Sequence, residues 1–380
     1  TTVGHHSFID IGSVVPLHGP RITLGRLCDG FGSLEELPTN FDWAVSIGAA
    51  ERLPPSCIAT FFQMLQRSRR GVILAWGLVR NPSTKCCAVQ SPRSAEVVGG
   101  ALRLLNFYPI PKHPWLLSMN TSIADSTVEI LVRTKVIPDR ELSLSTTARC
   151  NDSTKDGAFQ TQEGRWPLKD HYLDRGVAGC IARVANNATI LDIGGGSGQY
   201  GAYFAMMRAD PGTTPLKVAD KPADYVIRPH GPGPTDWMTV DGTPGIEEHT
   251  RKYGPPGSLV HQANMCNSSL RLPVHDWVMS LEVGEHLPTW CLANYWALLH
   301  HSSRRGLILS WSQVASGSCH INEKDPRYIV DYIKALGGYR MDPNHPCGRG
   351  AFHRWMRWTL VFHRAEASTH PGDCEDVLDG

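Results

Sequence analysis

The chain alternates short apolar runs with stretches whose apolar residues recur at helical spacing. Residues 189–193 are typical of a buried strand, and residues 171–184 and 201–208 are typical of amphipathic helices. Further short strands are predicted near residues 237–240 and 258–262. Strands that alternate with helices predict an α/β domain built on a doubly wound, mostly parallel sheet.

Changes in composition divide the chain into four parts. Residues 143–165 are rich in Ser, Thr, Asp, Gly and Gln and poor in apolar residues, which predicts a linker. We expect the main α/β domain at residues 166–366, a smaller lobe at residues 1–142 and a flexible tail at residues 367–380.

An internal repeat links the two halves. Residues 42–76 align with residues 276–311 at sixteen identical positions, with one residue of slippage. Chance would give about two identities at background residue frequencies. Each copy reads as a strand, a helix, a basic SRRG turn and a second strand, which predicts a β-α-β unit with parallel strands. We expect the two lobes to pack on each other.

The overall composition excludes several classes of protein. Lys and Arg total 37 against 36 for Asp and Glu, so no nucleic-acid partner is expected. No apolar run approaches the roughly 20 residues that cross a bilayer, so we expect a soluble chain with no membrane partner. Eleven cysteines, an odd number without a C-x-x-C pair, favour a reducing compartment and a cytoplasmic location. Paired histidines are not at ligand spacing on a helix face, and no metal is expected.

The sharpest motif runs from an apolar strand into a glycine-rich turn and a helix, at residues 190–201. Glycines allow the backbone to turn tightly and approach a ligand, and the helix presents free N–H groups. The pattern fits the dinucleotide fingerprint G-x-G-x-x-G, but also D-x-G-x-G-x-G beginning at Asp192. A carboxylate that ends the strand would attract a cationic ligand and repel a pyrophosphate, which favours the second pattern.

The D-x-G-x-G-x-G turn resembles the first motif of class I S-adenosylmethionine-dependent methyltransferases, most closely uncharacterised small-molecule members. The resemblance implies a Rossmann-like fold and S-adenosylmethionine as cofactor. It implies that Asp241, or alternatively Asp220, accepts hydrogen bonds from the ribose, and that Asn264 stands where an acid often accepts from the adenine amino group. The cofactor-binding residues implied in this way are Asp192, Gly194, Gly195, Gly196, Ser197, Gly198, Tyr200, Asp241, Gly242, Asn264, Met265 and Leu281.

The sequence DWVMSLEVGEHLP at residues 276–288 is similar to the family's fourth strand and the loop behind it. The resemblance places Glu282, Glu285 and His286 at the edge between cofactor and acceptor, and His320, with Asn322, follows the fifth strand. We therefore expect Glu282, His286 and His320 to be catalytic. Glu285 has a purely structural alternative as a carboxylate at a helix start.

The first repeat copy has Gly48 and Arg52 where the second has Glu282 and His286, and no glycine turn precedes it. The N-terminal lobe is therefore predicted to be an incomplete, degenerate copy in a tandem arrangement. The predicted function is methyl transfer by the C-terminal lobe to a small-molecule acceptor, with the acceptor atom (O, N, S or C) left open. The alternatives are a catalytically inactive pseudoenzyme that serves as a scaffold or cofactor sensor, and an NAD-dependent oxidoreductase.

Overall fold

The structure is a computed structural model, and its described part covers much of the C-terminal half and scattered segments of the N-terminal half. The described residues are 8–11, 21–22, 41–47, 55–77, 101–103, 105, 107–109, 126–133, 156–159, 166–167, 171–210, 212–213, 215–218, 225–227, 231, 233–312, 319–342, 347–351 and 354–364. The chain forms two compact units. Unit 1 comprises Thr1–Asp139, Arg327–Gly338 and Glu366–Gly380, and unit 2 comprises Arg140–Pro326 and Tyr339–Ala365.

Strands and helices alternate along the chain, as expected for an α/β protein. The described strands are β1 (Phe8–Ile11), β2 (Arg21–Ile22), β3 (Phe41–Ile47), β4 (Ser68–Gly77), β5 (Phe107–Pro109), β6 (Ser126–Arg133), β7 (Thr189–Ile193), β8 (Leu216–Val218), β9 (Tyr225–Ile227), β10 (Asp236–Asp241), β11 (Val260–Gln262), β12 (His275–Ser280), β13 (Ser303–Leu309), β14 (Tyr339–Met341) and β15 (Leu360–Arg364). The described α-helices are α1 (Pro55–Gln66), α2 (Arg175–Val184), α3 (Gln199–Arg208), α4 (Ile246–Tyr253), α5 (Leu292–Ser302) and α6 (Pro326–Leu336).

The large sheet of unit 2 has the order β11-β10-β7-β12-β13-β15-β14. All of its strand pairs are parallel except those that β15 makes with β13 and β14. β7 lies between β10 and β12, and Ile190, Leu191 and Ile193 on it are fully buried. A parallel strand covered on both faces reads as an apolar run, which explains why β7 is predictable from the sequence.

Helix α2 covers the core beside β7. Asp174 caps its N-terminus by accepting a 3.0 Å hydrogen bond from the backbone N–H of Val177, so the helix begins at Arg175 rather than at residue 171 as predicted. Val177 and Ile181 are buried in the apolar cluster that includes Ile190 of β7. The Asp174 cap fixes where helix α2 begins, and the buried apolar face of the helix fixes how it packs on β7.

Unit 1 contains a six-stranded sheet with the order β2-β1-β3-β4-β6-β5. β6 is antiparallel to β4 and β5, and the other pairs are parallel. If β7 is left out of the unit 2 sheet, its order becomes β11-β10-β12-β13-β15-β14, and the strands of unit 1 follow the same order along the chain and across the sheet. Both sheets also have a register irregularity at the same repeat position, between Phe41 and Trp43 in β3 and between His275 and Trp277 in β12. Among the described strands of unit 1, none corresponds to the strand that carries the glycine turn in unit 2.

Two disulfides stabilise unit 2, one between Cys180 and Cys347 and one between Cys266 and Cys291. Cys57 also belongs to a disulfide, whereas Cys319 is a buried free thiol. Disulfides persist in oxidising compartments, so this pairing counts against the reducing compartment expected from the cysteine pattern. Within the described part of the chain, no helix has the length and hydropathy needed to cross a bilayer.

Candidate active site

A pocket of about 370 Å³ opens at the carboxyl ends of β7, β10 and β12. The order of the sheet reverses between β7 and β12, and such a reversal leaves a crevice between the loops that follow the strands. The pocket is lined by Asp156, Gly157, Ala158, Phe159, His171, Tyr172, Asp174, Asp192, Gly194, Gly195, Gly196, Gln199, Tyr200, Asp241, Gly242, Pro244, Gln262, Asn264, Met265, Leu281, Glu282, Val283, His286 and Met356.

The glycine turn is tied to the neighbouring strand β10. The backbone N–H groups of Gly194 and Gly195 both donate to the Val240 carbonyl, at 2.8 and 3.2 Å. The N–H of Gly196 donates to Oδ2 of Asp241 at 2.9 Å. Gly194 and Gly196 have φ values of +77° and +58°, which glycine adopts without strain. The turn is therefore held in a fixed conformation against the acid that ends β10.

Asp192 lies beneath this turn with its side chain 2% exposed. Its Oδ2 has no hydrogen-bond donor within the described part of the chain. Burial, together with the charge of Asp241, raises the pKa of Asp192 well above its usual range. A Cβ on Gly195 would collide with Asp192 Oδ2, so glycine is required there. A buried carboxylate oxygen without a donor is costly. A ligand that brings a hydrogen-bond donor or a positive charge to Asp192 would remove this cost.

A second acidic group, Glu282, also lines the pocket. Glu282 follows β12 in a left-handed conformation, with φ +56°, and its N–H donates to Ser310 Oγ at 3.0 Å. Burial raises the pKa of Glu282 to about 7. Burial and the Glu282 charge raise the pKa of Glu285 well above its usual range. The two carboxyl groups can hydrogen bond to each other only when one of them is protonated.

His286 lies beside these acids at the pocket edge. Its Nδ1 lies 3.2 Å from the Cys319 carbonyl, and its ring is edge-on to the rings of His320 (4.7 Å between centroids) and Phe159 (5.1 Å). Burial and the His320 charge lower the pKa of His286 to about 3, so this imidazole is neutral. A carbonyl only accepts hydrogen bonds, which places the proton on Nδ1 and a lone pair on Nε2.

Most residues implied as cofactor ligands meet at this pocket. It is lined by Asp192, Gly194, Gly195, Gly196, Tyr200, Asp241, Gly242, Asn264, Met265 and Leu281. Ser197 and Gly198 do not line it. Ser197 is fully buried, and its carbonyl accepts a 2.7 Å hydrogen bond from Trp166 Nε1. Gly198, with φ +73°, is the N-cap residue that precedes helix α3. Ser197 and Gly198 therefore belong to the backbone of the turn and not to the pocket surface. Asp220, the alternative to Asp241, lies outside the described residues.

The predicted catalytic residues are also brought together. Glu282 and His286 line the pocket, and His320 lies behind His286, with its Nδ1 3.0 Å from Glu323 Oε1. Asn322 is structural in this arrangement, because its side-chain amide donates to the Gly284 carbonyl at 3.3 Å.

Sequence reasoning missed several pocket residues. Residues 156–159 lie in the segment predicted as a linker, yet they line the pocket, and Asp156 Oδ2 accepts from Asn264 Nδ2 at 3.0 Å. The Asn264 Oδ1 accepts from the Cys266 N–H, so its amide is already oriented by the protein. The sequence pattern places His171 in a helix, but in the structure it lies before that helix and faces the glycine turn. Nothing in the polar composition of these segments signalled a role in a site.

Comparison with known proteins gives no close relative. No protein-family model and no curated protein matches the sequence. Among solved structures, the chain is similar to magnesium protoporphyrin IX methyltransferase from Synechocystis with bound SAH, at 13% identity and a TM-score of 0.32, covering 50% of this chain and 80% of that one. It is also similar to a TehB-like SAM-dependent methyltransferase from Corynebacterium glutamicum, at 15% identity and a TM-score of 0.32, covering 52% and 89%.

A third similar structure is phosphoethanolamine N-methyltransferase 2 from Haemonchus contortus in complex with phosphomonomethylethanolamine and S-adenosylhomocysteine. Its identity is 12% and its TM-score 0.29, covering 90% of this chain and 81% of that one. Likenesses at this level carry no argument about the function of this chain, which has to be argued from the site itself.

Proposed function

We propose that unit 2 binds S-adenosylmethionine in this pocket and transfers its methyl group to a small-molecule acceptor. The observation that carries the proposal is the buried Asp192 carboxylate, which has an oxygen without a donor in the described part of the chain and lies beneath a glycine turn. A ligand with an ammonium group would satisfy that oxygen and offset the cost of burying the charge.

The remaining pocket residues fit the other parts of this cofactor. Asp241 holds the turn through Gly196 and retains acceptor capacity for ribose hydroxyls, since each carboxylate oxygen accepts more than one hydrogen bond. Met265 and Leu281 provide apolar surface in the same pocket, and the Asn264 amide lies at its rim. A dinucleotide is less favourable, because the buried Asp192 carboxylate beneath the glycine turn would repel its pyrophosphate.

The cofactor supplies a methyl group on a sulfonium, an electrophile that needs a nucleophile aligned with the carbon–sulfur bond. The acceptor atom forms a bond to the methyl carbon, the carbon–sulfur bond breaks, and sulfur keeps the electron pair. When the acceptor carries a proton, Glu282 takes it, because this acid lines the pocket and burial raises its pKa to about 7. Exclusion of water and alignment are the main contributions of the pocket walls.

Unit 1 is, on this proposal, a degenerate copy that binds no cofactor. The shared sheet order and the shared register irregularity support a common origin of the two sheets. The glycine turn needs the strand that precedes it, and no described strand of unit 1 takes that position. Gly48 and Arg52, on which the sequence argument also rests, lie outside the described residues.

Calorimetric titration of the purified chain with S-adenosylhomocysteine, S-adenosylmethionine and NAD tests the proposal. We expect one site per chain for the first two ligands and none for NAD. Asp192→Asn should weaken binding by about tenfold or more, as for loss of a charge-assisted hydrogen bond. Asp342→Asn is the matched control, since Asp342 pairs with His363 instead of lining the pocket.

Binding without turnover would favour the pseudoenzyme. This is tested by incubating the chain with labelled S-adenosylmethionine and a panel of phenols, alcohols, amines and thiols, and by following transfer of label. NAD binding in place of S-adenosylhomocysteine would favour the oxidoreductase. Two equivalents of S-adenosylhomocysteine per chain would contradict the assignment of unit 1.

A further inference from the structure

Glu285, His286 and His320 form a compact cluster at the edge of the pocket. One candidate ligand atom from each lies within 4.8 Å of the other two. Ligand atoms around one zinc ion lie roughly 3 to 4.4 Å apart, given bonds of about 2.0 to 2.2 Å. A small inward movement of these side chains would therefore supply three protein ligands to one zinc ion and leave a fourth position for water.

The backbone holds the cluster in place. The Glu285 carbonyl accepts hydrogen bonds from the N–H groups of Ile321 and Asn322, at 2.9 and 2.8 Å. These bonds join the turn after β12 to the segment after β13, which brings His320 against His286. The backbone at Glu285 and at residues 321–322 is thus held in place before any ligand arrives, and this favours binding.

Both imidazoles present a free lone pair from the same ring position. The Nδ1 of His286 faces the Cys319 carbonyl, and the Nδ1 of His320 faces the Glu323 carboxylate at 3.0 Å. Each contact keeps the proton on Nδ1 and leaves Nε2 as an acceptor. Metal-binding histidines characteristically donate their other ring N–H to a carbonyl or carboxylate, as both of these do.

The carboxylate of the cluster lacks a counter-charge. Glu285 is fully buried, its Oε1 accepts a long, 3.3 Å hydrogen bond from the Ser312 N–H, and within the described residues its Oε2 has no donor. Its neighbour Glu282 also has a buried oxygen without such a donor. Two buried carboxyl groups need a shared proton or a cation between them.

We propose that Glu285, His286 and His320 bind one divalent first-row transition-metal cation, such as Zn²⁺ or Co²⁺, beside Glu282. Two imidazoles and one carboxylate suit such cations, whereas Mg²⁺ prefers oxygen ligands only. The sequence predicts no metal, because its paired histidines are not at ligand spacing on a helix face. His286 and His320 come from two separate loops and meet only in the folded structure. On this inference His286 and His320 are ligands instead of bases. The cation site itself does not depend on methyl transfer.

The test uses the full chain with its disulfides intact, stripped with a chelator and dialysed. Titration with Zn²⁺ in a calorimeter should give one site of micromolar or tighter affinity, and an excess of Mg²⁺ should not compete. Co²⁺ should give visible absorption bands from nitrogen and oxygen ligation. His320→Ala and Glu285→Gln should each weaken Zn²⁺ binding by about tenfold or more.

His363→Ala is the matched control, since this imidazole pairs with Asp342 and not with the cluster. It should bind Zn²⁺ like the unaltered chain. Because Glu285 is fully buried, its variant is interpreted only if its thermal melting matches that of the parent, and the less buried His320 gives an independent result. Absence of Zn²⁺ and Co²⁺ binding, or binding unchanged in His320→Ala, overturns the proposal. Loss of metal binding with S-adenosylhomocysteine binding retained separates this site from the cofactor site.

Discussion

The backbone N–H of Gly196 donates to Oδ2 of Asp241 at 2.9 Å, which fastens the glycine turn to the end of the adjacent strand. Asp241 therefore has two tasks, to hold the turn and to face the pocket. Asp241→Ala should weaken S-adenosylhomocysteine binding by about 1 to 3 kcal/mol, because both tasks are lost.

Asp241→Asn separates these tasks, since its amide oxygen can still accept from Gly196. We expect it to bind more tightly than Asp241→Ala but more weakly than the parent, as measured by calorimetry. Equal affinity of all three chains would remove Asp241 from the site.

In the ligand-free chain, the buried Asp192 carboxylate should lower the free energy of unfolding at neutral pH. Its pKa is raised in the folded state, so the unfolded chain ionises more readily and folding stability falls as the pH rises above the ordinary pKa of an aspartate. Asp192→Asn should raise the melting temperature of the ligand-free chain at neutral pH by a few degrees, while weakening cofactor binding. A lower melting temperature at neutral pH would mean that the charge is compensated within the protein.

The role of Gly196 can be tested through His171. A Cβ on Gly196 would lie 2.5 Å from His171 Nδ1, and φ there is +58°. Gly196→Ala should therefore destabilise the fold itself, by about 1 to 2 kcal/mol from the backbone conformation and more from the collision. The double variant with His171→Ala should recover the part caused by the collision, as measured by urea unfolding. No recovery would assign the whole cost to the backbone.

Glu282→Gln should lower turnover by about 10²-fold with any acceptor that carries a proton, because the amide cannot take that proton. Affinity for S-adenosylhomocysteine should stay within a few-fold, since Asp192 and Asp241 are unchanged. The comparison of rate and affinity distinguishes a proton acceptor from a residue that only shapes the pocket. Unaltered turnover would exclude Glu282 as the base.

The disulfides should contribute to the stability of unit 2. The Cys180–Cys347 pair closes a sequence separation of 167 residues and the Cys266–Cys291 pair one of 25. Chain-entropy arguments give about 3 to 5 kcal/mol for loops of these lengths. Treatment with a reductant should lower the melting temperature, and mass spectrometry of the untreated chain should find both pairs. Free thiols at all four positions would restore the sequence-based expectation of a reducing compartment.

The sequence predicts best the parts of the molecule that local patterns encode. β7 is an apolar run buried on both faces, and its glycine turn occurs where the strand ends, so the sequence alone predicts the positions of both. The repeat likewise identified the parallel pairs β3–β4 and β12–β13, because each pair and its helix lie within one short segment.

Features that depend on distant residues could not be predicted in this way. The Phe159 ring lies in the pocket against the rings of His171 and His286, at 5.6 and 5.1 Å between centroids, and His286 is far from Phe159 in the chain. Cysteine pairing has many combinatorial solutions that the sequence does not distinguish. His320 meets His286 next to two backbone N–H groups, of Ile321 and Asn322, that bond to the distant Glu285 carbonyl.

Helix α6 belongs to unit 1, although β13 before it and β14 after it both belong to unit 2. Its Tyr332 is fully buried, with its ring 5.1 Å from that of Phe62 in α1. The two units are thus interleaved in the chain, and no single cleavage separates them into intact folding units. A shortened protein spanning residues 140–365 would carry α6 without α1, leaving an apolar helix face that favours self-association.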